Sequence, residues 1–261
     1  ALESVYKQTY TNWEIIIVDD CSTDDSADIY KSIDENPQIK VFYNESNKGA
    51  GFTKRRCVEE STGEICGFLD PDDALTDNAL EEMIKAHLEN PDASLIHSQY
   101  YICDSNLTVQ SIFPNPLGIM PDNPFFFNIG GHISHFASFK KEYYLKTNGI
   151  DAFLKRAVDQ DLYLKLCETG KAVFIEKPLY YYRIHNAGIS TVENEDKAFY
   201  WHWMVIMNTA RRRNLNLEDT FYEHFVRIFN YNSLLFEYQR LAKYTKLNNL
   251  LADVRKKLFK N

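Results

Sequence analysis

Apolar and polar positions form blocks along the chain that predict strands separated by helices. Continuous apolar runs typical of strands buried on both faces lie at residues 14–18, 40–43, 65–69, 94–101 and 172–175. Helical spacing of apolar residues is found at residues 1–10, 26–33, 52–61, 76–88, 140–147 and 159–168. This alternation favours an α/β domain with a mainly parallel central sheet.

The pattern changes in the later part of the chain. Residues 105–131 are rich in Pro, Asn and Phe and have no regular period, so we expect long loops over one end of the sheet. Long aromatic-rich helices are predicted at residues 199–213 and 221–241. The sequence therefore predicts an α/β domain over residues 1–195 and a C-terminal helical extension over residues 196–261.

Two helical stripes contain residue types that also occur in ligand sites. His87 shares an apolar face with Met83 and Ile84, so we interpret it as a packing histidine. Core packing is also favoured over a ligand box for the aromatic stripe of the first C-terminal helix, which consists of Tyr200, Trp201, Trp203, Met204 and Met207.

Composition excludes several classes of protein. The 261 residues carry a net charge of −8, whereas a general nucleic-acid binder would need a basic excess. No apolar stretch approaches the roughly 18 residues of a membrane span. The five cysteines have no ligand spacing, which favours reduced thiols in the cytoplasm. The sequence begins without Met inside a predicted helix, so we expect further residues before it.

Charge is distributed unevenly along the chain. Twelve Lys and Arg stand against six Asp and Glu from Asp196 onward, although the whole chain is acidic. A solvated helix surface is the simpler interpretation, because most runs of charge are solvated. The alternative is peripheral contact with an anionic membrane surface, at the inner face of the membrane.

Two predicted strands end in clusters of carboxylates. Asp19 and Asp20 follow the first strand, and Asp70, Asp72 and Asp73 follow the third. Clustered carboxylates repel one another unless a cation intervenes, and Mg²⁺-type sites combine one or two carboxylates with substrate phosphates. The carboxyl ends of strands are also where open α/β sheets bind ligands. A metal and phosphate site is therefore favoured over acids that only cap turns.

Several short motifs occur in an order that carries a family resemblance. They are residues 18–26 (VDDCSTDDS), 47–49 (NKG), 61–64 (STGE), 68–73 (FLDPDD), 148–151 (NGID), 158–162 (VDQDL) and 182–185 (YRIH). Together they resemble the inverting family-2 glycosyltransferases of the GT-A fold, over roughly residues 1–192. The resemblance implies a Rossmann-like nucleotide-sugar-binding domain with a mainly parallel sheet. The family's first strand and loop are not matched by this sequence.

The resemblance implies a nucleotide-sugar donor, usually linked to UDP. By position, Asp20 matches the acid that receives the nucleobase, and Asp70 and Asp72 match the pair near the ribose and diphosphate. Lys54 stands where the family more often has an Arg that faces the phosphates. A lysine supplies the same charge there without the bidentate fork of an arginine.

The resemblance also implies a divalent cofactor, Mn²⁺ or Mg²⁺. Asp72 or Asp73 would hold this ion. His185 matches a position that in some relatives completes the metal or diphosphate site, and its alternative is a satisfied turn histidine.

Asp159 falls where the family places its catalytic base, with Val158 in place of the common Glu. Asp161 lies two residues further on, and positions i and i+2 of a helix diverge by roughly 200°. Only one of the two should face the site, so we expect Asp159 to be the base and Asp161 to support it. For His132 and His135, packing or loop roles are favoured over an acceptor-binding role, and a metal pair is disfavoured.

These residues lead to one main hypothesis and two alternatives. The main hypothesis is a metal-dependent inverting glycosyltransferase that transfers a sugar to a glycan or lipid-linked acceptor in cell-surface polysaccharide synthesis. The first alternative is an inactive nucleotide-sugar-binding or assembly subunit. The second is a metal-dependent phosphohydrolase, which would leave the position of Asp159 unexplained.

Overall fold

A computed structural model describes residues 1–33, 36–113, 123–185, 194–224 and 228–258 of the chain. The strands are β1 (Ile15–Asp19), β2 (Ile39–Tyr43), β3 (Ile65–Gly67), β4 (Ala74–Leu75), β5 (Ala93–Cys103), β6 (Val109–Ile112), β7 (Ala137–Lys140) and β8 (Lys171–Arg183). The helices are α1 (Leu2–Tyr6), α2 (Ser26–Ile33), α3 (Ala50–Glu60), α4 (Ala79–Glu89), α5 (Lys141–Tyr144), α6 (Val158–Cys167), α7 (Glu195–Arg213), α8 (Glu218–His224) and α9 (Ile228–Leu258).

The strands form two sheets. β1 and β2 pair in parallel, with Asp19 opposite Tyr43. The larger sheet has the order β3-β7-β5-β8-β4, and β6 also pairs with β5. Its long central pair, β5 with β8, is parallel, whereas β3, β4, β6 and β7 join antiparallel. The predicted α/β fold is confirmed, with a mixed sheet in which the short strands supply the antiparallel pairs.

Strand β8 is longer than the sequence predicts. The expectation was residues 172–175, but the strand continues to Arg183 through Pro178. Proline cannot donate a hydrogen bond to a ladder and so argues against a central strand. The register between β5 and β8 shifts around Gln99, the partner of Pro178. This irregularity lets pairing resume beyond the proline and brings the end of β8 towards the acidic loop after β3.

The core lies on both faces of β5, because successive side chains of a strand point to opposite sides. Leu95 packs in one cluster with Leu162 of α6 and Trp201 of α7. Ile96 packs in the other with Met83 of α4 and Tyr180 of β8. Apolar burial thereby fixes α6 and α7 to one face of the sheet and α4 to the other.

Contacts divide the chain into two compact units, Ala1–Asn214 and Leu215–Asn261. The predicted boundary after residue 195 falls within the first turn of helix α7, and this helix belongs to the first unit. Trp201 and Trp203 are buried, as expected for a packing stripe, whereas Tyr200 and Met207 are exposed. His87 is also buried, and its Nε2 lies 3.0 Å from Ser138 Oγ, which confirms its packing role.

The second unit contains helices α8 and α9. Several large apolar side chains of α9 are exposed, among them Leu234, Tyr238 and Leu241. No helix within the described ranges is both long enough and apolar enough to cross a membrane.

Candidate active site

One lysine joins two carboxylates that come from distant parts of the sequence. Lys54, on α3, places Nζ 3.1 Å from Asp70 Oδ1 and 2.9 Å from Asp159 Oδ1. Asp70 follows β3, and Asp159 lies in the first turn of α6. The structure therefore brings together the three residues that the sequence assigned to the base and to the donor.

The electrostatics of this cluster depend on the lysine. Burial opposes ionisation of Asp159, but the nearby charge and hydrogen bond of Lys54 outweigh it, so the pKa of Asp159 lies below its usual value. Burial likewise disfavours the charged form of Lys54, and the two carboxylates reverse this and raise the pKa of the lysine. Asp159 is therefore an ion-paired carboxylate rather than a protonated one at neutral pH.

Asp161 lies on another face of α6, as the helical spacing predicts. Its carboxylate is buried, and Oδ2 accepts hydrogen bonds from Lys165 Nζ at 2.6 Å and from the backbone N–H of Asp151 at 3.0 Å. Lys165 also donates to the carbonyl oxygen of Gly149 at 2.7 Å. Asp161 therefore supports the loop that precedes α6 and leaves Asp159 as the acid beside Lys54.

The remaining two acids of the 68–73 motif differ sharply in their surroundings. Asp72 is 44% exposed, and its Oδ2 lies 2.7 Å from His185 Nε2. Asp73 is 2% exposed, and it accepts hydrogen bonds from the Tyr180 hydroxyl and from the backbone N–H of Arg183, both at 2.7 Å. Burial raises the pKa of Asp73. The geometry favours Asp72 over Asp73 as a metal ligand, because Asp73 is already used to anchor β8.

The residues present fit a divalent ion. A carboxylate and an imidazole in contact, Asp72 and His185, offer one oxygen and one nitrogen donor at the exposed edge of the site. Ions such as Mg²⁺ commonly complete their shell with substrate phosphates and water. Across the residues that the structure describes, no three His, Cys, Asp or Glu side chains are grouped closely enough to hold a metal by themselves.

Asp20 organises the loop that leads into α3. Its carboxylate accepts hydrogen bonds from the backbone N–H groups of Lys48 and Gly49, at 2.8 and 2.7 Å, and from the Asn44 side chain at 2.7 Å. These bonds outweigh the effect of burial and lower the pKa of Asp20. Gly49 has φ +88°, a conformation that few other residues adopt. The residue predicted to meet the nucleobase thus also shapes the loop beside it.

Sequence reasoning missed an aromatic group under the acidic cluster. Tyr180 receives a hydrogen bond from the backbone N–H of Asp70 at 3.3 Å while its own hydroxyl donates to Asp73. The ring of His135 stacks on Tyr180 and Tyr182, with centroids 5.0 and 5.5 Å away. Tyr180 and Tyr182 are two residues apart in a strand that runs into the 182–185 motif, so their side chains point to the same face of the sheet. This spacing was the sequence signal that could have revealed the aromatic group. His135 therefore packs in this aromatic group, and His132 lies 6.4 Å from the Phe126 ring.

Fold and site together define an α/β protein in which carboxylates from the loop after β3 and from α6 meet at one lysine. The family model described as Glycosyl transferase family 2 matches residues 1–147. The chain therefore belongs to glycosyl transferase family 2 and is a glycosyltransferase, as the resemblance of its motifs implied.

Named relatives and a solved structure extend this assignment. WcaA of Escherichia coli K12, whose description places it in colanic acid biosynthesis, is 28% identical over 214 residues, 78% of this chain and 74% of that protein. WfgD of Escherichia coli, a UDP-Glc:alpha-D-GlcNAc-diphosphoundecaprenol beta-1,3-glucosyltransferase, is 34% identical over 110 residues, 42% of each chain.

The structure of TarS from S. aureus in complex with UDP-GlcNAc superposes with a TM-score of 0.65 at 20% identity, covering 82% of this chain and 63% of TarS. This likeness establishes the GT-A fold. The chain spans about three fifths of the length of that structure.

Proposed function

We propose that this protein is a metal-dependent inverting glycosyltransferase that uses a nucleotide-diphosphate sugar, with a UDP-sugar as the favoured donor. The observation that carries the proposal is the position of Asp159, which lies within reach of the same lysine as Asp70. A single displacement needs a base close to the bound donor, and these contacts place the proposed base beside an acid that is assigned to the donor.

In the proposed reaction, the Asp159 carboxylate takes the proton of an acceptor hydroxyl. The acceptor oxygen forms a bond to the anomeric carbon while the bond from that carbon to the diphosphate oxygen breaks. The diphosphate leaves with the electron pair, so the configuration at the anomeric carbon inverts without a covalent enzyme intermediate. Asp20 with its loop would receive the nucleobase, and Asp70 and Lys54 would meet the ribose and diphosphate.

Asp72 and His185 would hold Mn²⁺ or Mg²⁺ against the donor, with Asp73 as the less favoured ligand. A bound divalent ion supplies charge that stabilises the departing diphosphate. The protein's own part is to keep Asp72 and His185 at the exposed edge of the site. Asp73 and Tyr180 contribute by fixing the strand that presents His185.

The acceptor is proposed to be a glycan or a lipid-linked sugar in cell-surface polysaccharide synthesis. The named relatives support this class, because one is described by colanic acid biosynthesis and another by a diphosphoundecaprenol-linked acceptor. Complexes of TarS with UDP and with UDP-GlcNAc support the choice of a UDP-linked donor.

The test is transfer from a panel of UDP-sugars to glycan and lipid-diphosphate acceptors, with Asp159→Asn beside the parent. We expect the variant to lose at least about 100-fold in turnover while it binds UDP at least as tightly as the parent. Asp28→Asn, which changes an exposed acid on α2, is the matched control and should transfer at the parent rate. Equal turnover by Asp159→Asn would refute the assignment of the base.

The alternative of an inactive binding or assembly subunit predicts a different result in the same assay. UDP would bind, but neither transfer nor donor hydrolysis would be observed with any acceptor. Release of phosphate without preference for an acceptor would indicate the phosphohydrolase instead. The alternative of a binding subunit is supported by Val158, which stands where the family commonly has a Glu.

We further propose that the second unit contacts the anionic inner face of the membrane. Leu234, Tyr238 and Leu241 are spaced four and three residues apart and are 65%, 70% and 58% exposed. Lys243, which is also exposed, lies roughly 180° around the helix from Leu234. Leu235, Phe236 and Tyr244 are also exposed, so apolar side chains lie on several faces of the helix and not on one stripe alone. Apolar side chains that enter the interface and cations that attract anionic lipids together favour such a contact.

Sedimentation with liposomes tests this contact. We expect vesicles containing phosphatidylglycerol to retain the chain and neutral phosphatidylcholine vesicles to retain much less. A Leu234→Ser, Leu241→Ser double variant should lose retention, whereas Leu88→Ser, at an exposed apolar position in the first unit, should not. Equal retention by both kinds of vesicle, or by the double variant and the parent, would contradict the proposal.

A further inference from the structure

Lys54 holds the proposed base in an ion pair before any substrate is present. Its ammonium group lies 2.9 Å from Asp159 and 3.1 Å from Asp70, and 5.2 Å from the centre of the Phe68 ring. The lysine side chain is 20% exposed, so water screens these contacts only in part. One positive charge is therefore shared between two carboxylates that have different tasks in the proposed reaction.

The ion pair conflicts with the task of Asp159. A general base must accept a proton from a hydroxyl group, and its efficiency falls as its own pKa falls. A cation at hydrogen-bond distance stabilises the ionised carboxylate and lowers its pKa. The same ammonium group also occupies Oδ1, one of the two oxygens that could receive the acceptor's proton. In this arrangement Asp159 is held in place but weakened as a base.

A donor would supply a stronger partner for the lysine. A nucleoside diphosphate carries more negative charge than a single carboxylate and has several oxygens that accept hydrogen bonds. Lysine is suited to such an exchange, because its ammonium is a point charge on a flexible stem with donors in several directions. Asp70, the other partner of Lys54, lies on the donor side of the site in the proposed function.

We propose that Lys54 is a positioning residue that couples donor binding to activation of the base. With the donor site empty, it pairs with Asp159 and fixes the carboxylate at the N-terminus of α6. When the diphosphate binds, the ammonium moves to it and releases Asp159, which then takes the acceptor's proton. The acceptor is thereby activated only after the donor is in place.

The inference rests on the proposed function, since it uses Asp159 as the base and a nucleotide-diphosphate sugar as the donor. Several titratable groups face Asp159 from the elements packed against it. They are Lys54 from α3, Asp70 from the loop after β3, His135 from the loop before β7, Tyr163 from α6 and Tyr182 from β8. The test therefore compares variants of the lysine with the other four groups unchanged.

The experiment follows the ionisation of Asp159 by NMR in the full chain with ¹³Cγ-labelled aspartate, and Asp159→Asn identifies the signal. Each sample is titrated with acid alone and again with saturating UDP and MgCl₂, with saturation checked by calorimetry. We expect UDP to raise the titration midpoint of Asp159 by at least one pH unit. Identical midpoints with and without UDP in a protein that binds UDP would overturn the inference.

Substitutions of the lysine separate its movement from the direct effect of the diphosphate charge. In Lys54→Met, we expect the midpoint without ligand to be at least one unit above that of the parent. The further change on adding UDP should be much smaller. Lys54→Arg should restore most of the UDP-dependent change, and Lys85→Met, on the exposed side of α4, should behave as the parent. A merely structural role for Lys54 would not produce this pattern.

Two results for Lys54→Met would overturn the inference. One is an unchanged midpoint without ligand, which can be measured even if the variant binds UDP poorly. The other is a UDP-dependent change as large as that of the parent. Failure of the parent to bind any nucleotide would instead refute the proposed function, so the two failures are distinguishable.

Discussion

Glu14 fixes the turn that leads into β3 through one carboxylate. Oε1 accepts hydrogen bonds from the backbone N–H groups of Thr62 and Gly63 and from the Thr62 hydroxyl, and Oε2 lies 2.9 Å from Lys40 Nζ. The turn contains the 61–64 motif, so the family resemblance at this point has a structural cause. Against the effect of burial, these bonds lower the pKa of Glu14 to about 2.

The shift predicts how Glu14→Gln changes stability with pH. A carboxyl whose pKa is lower in the folded than in the unfolded state stabilises the protein, and the effect is complete at pH values above the unfolded pKa of 4.5. That contribution declines as pH falls towards 2. We expect the variant to lose about 2–3 kcal/mol of unfolding free energy at pH 7. By pH 3 the difference from the parent should shrink by more than half in urea unfolding. A difference that is the same at both pH values would contradict this account.

Residue identity and spacing predicted which acids lie at the site, but not which way each one points. Asp70, Asp72 and Asp73 form one cluster in the sequence, yet Asp73 turns into the core towards Tyr180. The pairing of Lys54 with Asp159 joins positions 105 residues apart. Such a contact follows from the packing of α3 and α6 and leaves no local signal.

Helix α6 separates two carboxylates that are two residues apart. Asp159 is part of the site, whereas Asp161 forms a buried ion pair with Lys165, with side chains 4% and 8% exposed. Removal of one member of a buried pair leaves the other charge uncompensated and typically costs 3–5 kcal/mol. The two positions therefore differ in what they contribute, one to chemistry and the other to stability.

We expect Asp161→Ala to lower the unfolding free energy by about 3–5 kcal/mol. Asp159→Asn, by contrast, should change it by less than about 1 kcal/mol, since Lys54 keeps Asp70 as a partner. Denaturant unfolding of the two variants beside the parent measures both effects. A larger loss for Asp159→Asn than for Asp161→Ala would reverse the assignment of roles.

Strand β5 contains a buried histidine that the proposed mechanism does not use. His97 is 0% exposed and packs against Phe174, with ring centroids 5.2 Å apart and the rings tilted by 40°. Neither of its ring nitrogens has a hydrogen-bond partner within the described residues. Burial lowers the pKa of His97 to about 4, with a smaller effect from His132. The unfolded chain therefore takes up a proton first as the pH falls.

The lowered pKa of His97 predicts that the protein loses stability as the pH falls. The titration of His97 costs the folded protein no stability above pH 6.5, the usual pKa of a histidine. Between pH 7 and pH 5 the protein should lose about 2 kcal/mol of unfolding free energy through His97. We expect His97→Leu to remove this part of the loss and to stabilise the fold at pH 7 by about 1–2 kcal/mol, because two unpaired polar atoms are removed. Urea unfolding of the parent and the variant at pH 7 and pH 5 measures both effects. If the variant lost as much unfolding free energy between the two pH values as the parent, His97 would not be the cause.

At the scale of the elements, the sequence predicted most helices and strands because their apolar periods were clear. It placed the end of β8 too early, since Glu176, Lys177 and Pro178 have the composition of a loop. These residues fit into the strand because the register between β5 and β8 shifts at Gln99, and that shift depends on pairing with β5. The short strand β6 was likewise missed, because its residues are exposed and lack an apolar face.

At the scale of the whole molecule, the sequence predicted the α/β class and the family, and both are confirmed. The first compact unit extends to Asn214 rather than to the predicted boundary, because helix α7 packs its Trp201 and Val205 into the main core. Composition alone separates aromatic helices from the α/β part but does not show which of them share its core. The metal, the donor and the base remain predictions that depend on the first unit as a whole.

Above all, we propose that this unit binds a nucleoside diphosphate through a metal held at Asp72. The most direct measurement is the melting temperature of the chain with UDP and Mn²⁺, with UDP and EDTA, and without UDP. At about 100 times Kd, UDP should add about 2.7 kcal/mol of stability, or roughly 5 °C or more.

In that measurement, EDTA and Asp72→Asn should each remove most of the shift, whereas Asp28→Asn should leave it intact. The absence of a shift with UDP, in Mn²⁺ as well as in EDTA, would contradict this proposal. The proposal is also contradicted if the shift is the same in EDTA and in Asp72→Asn as in the parent with Mn²⁺.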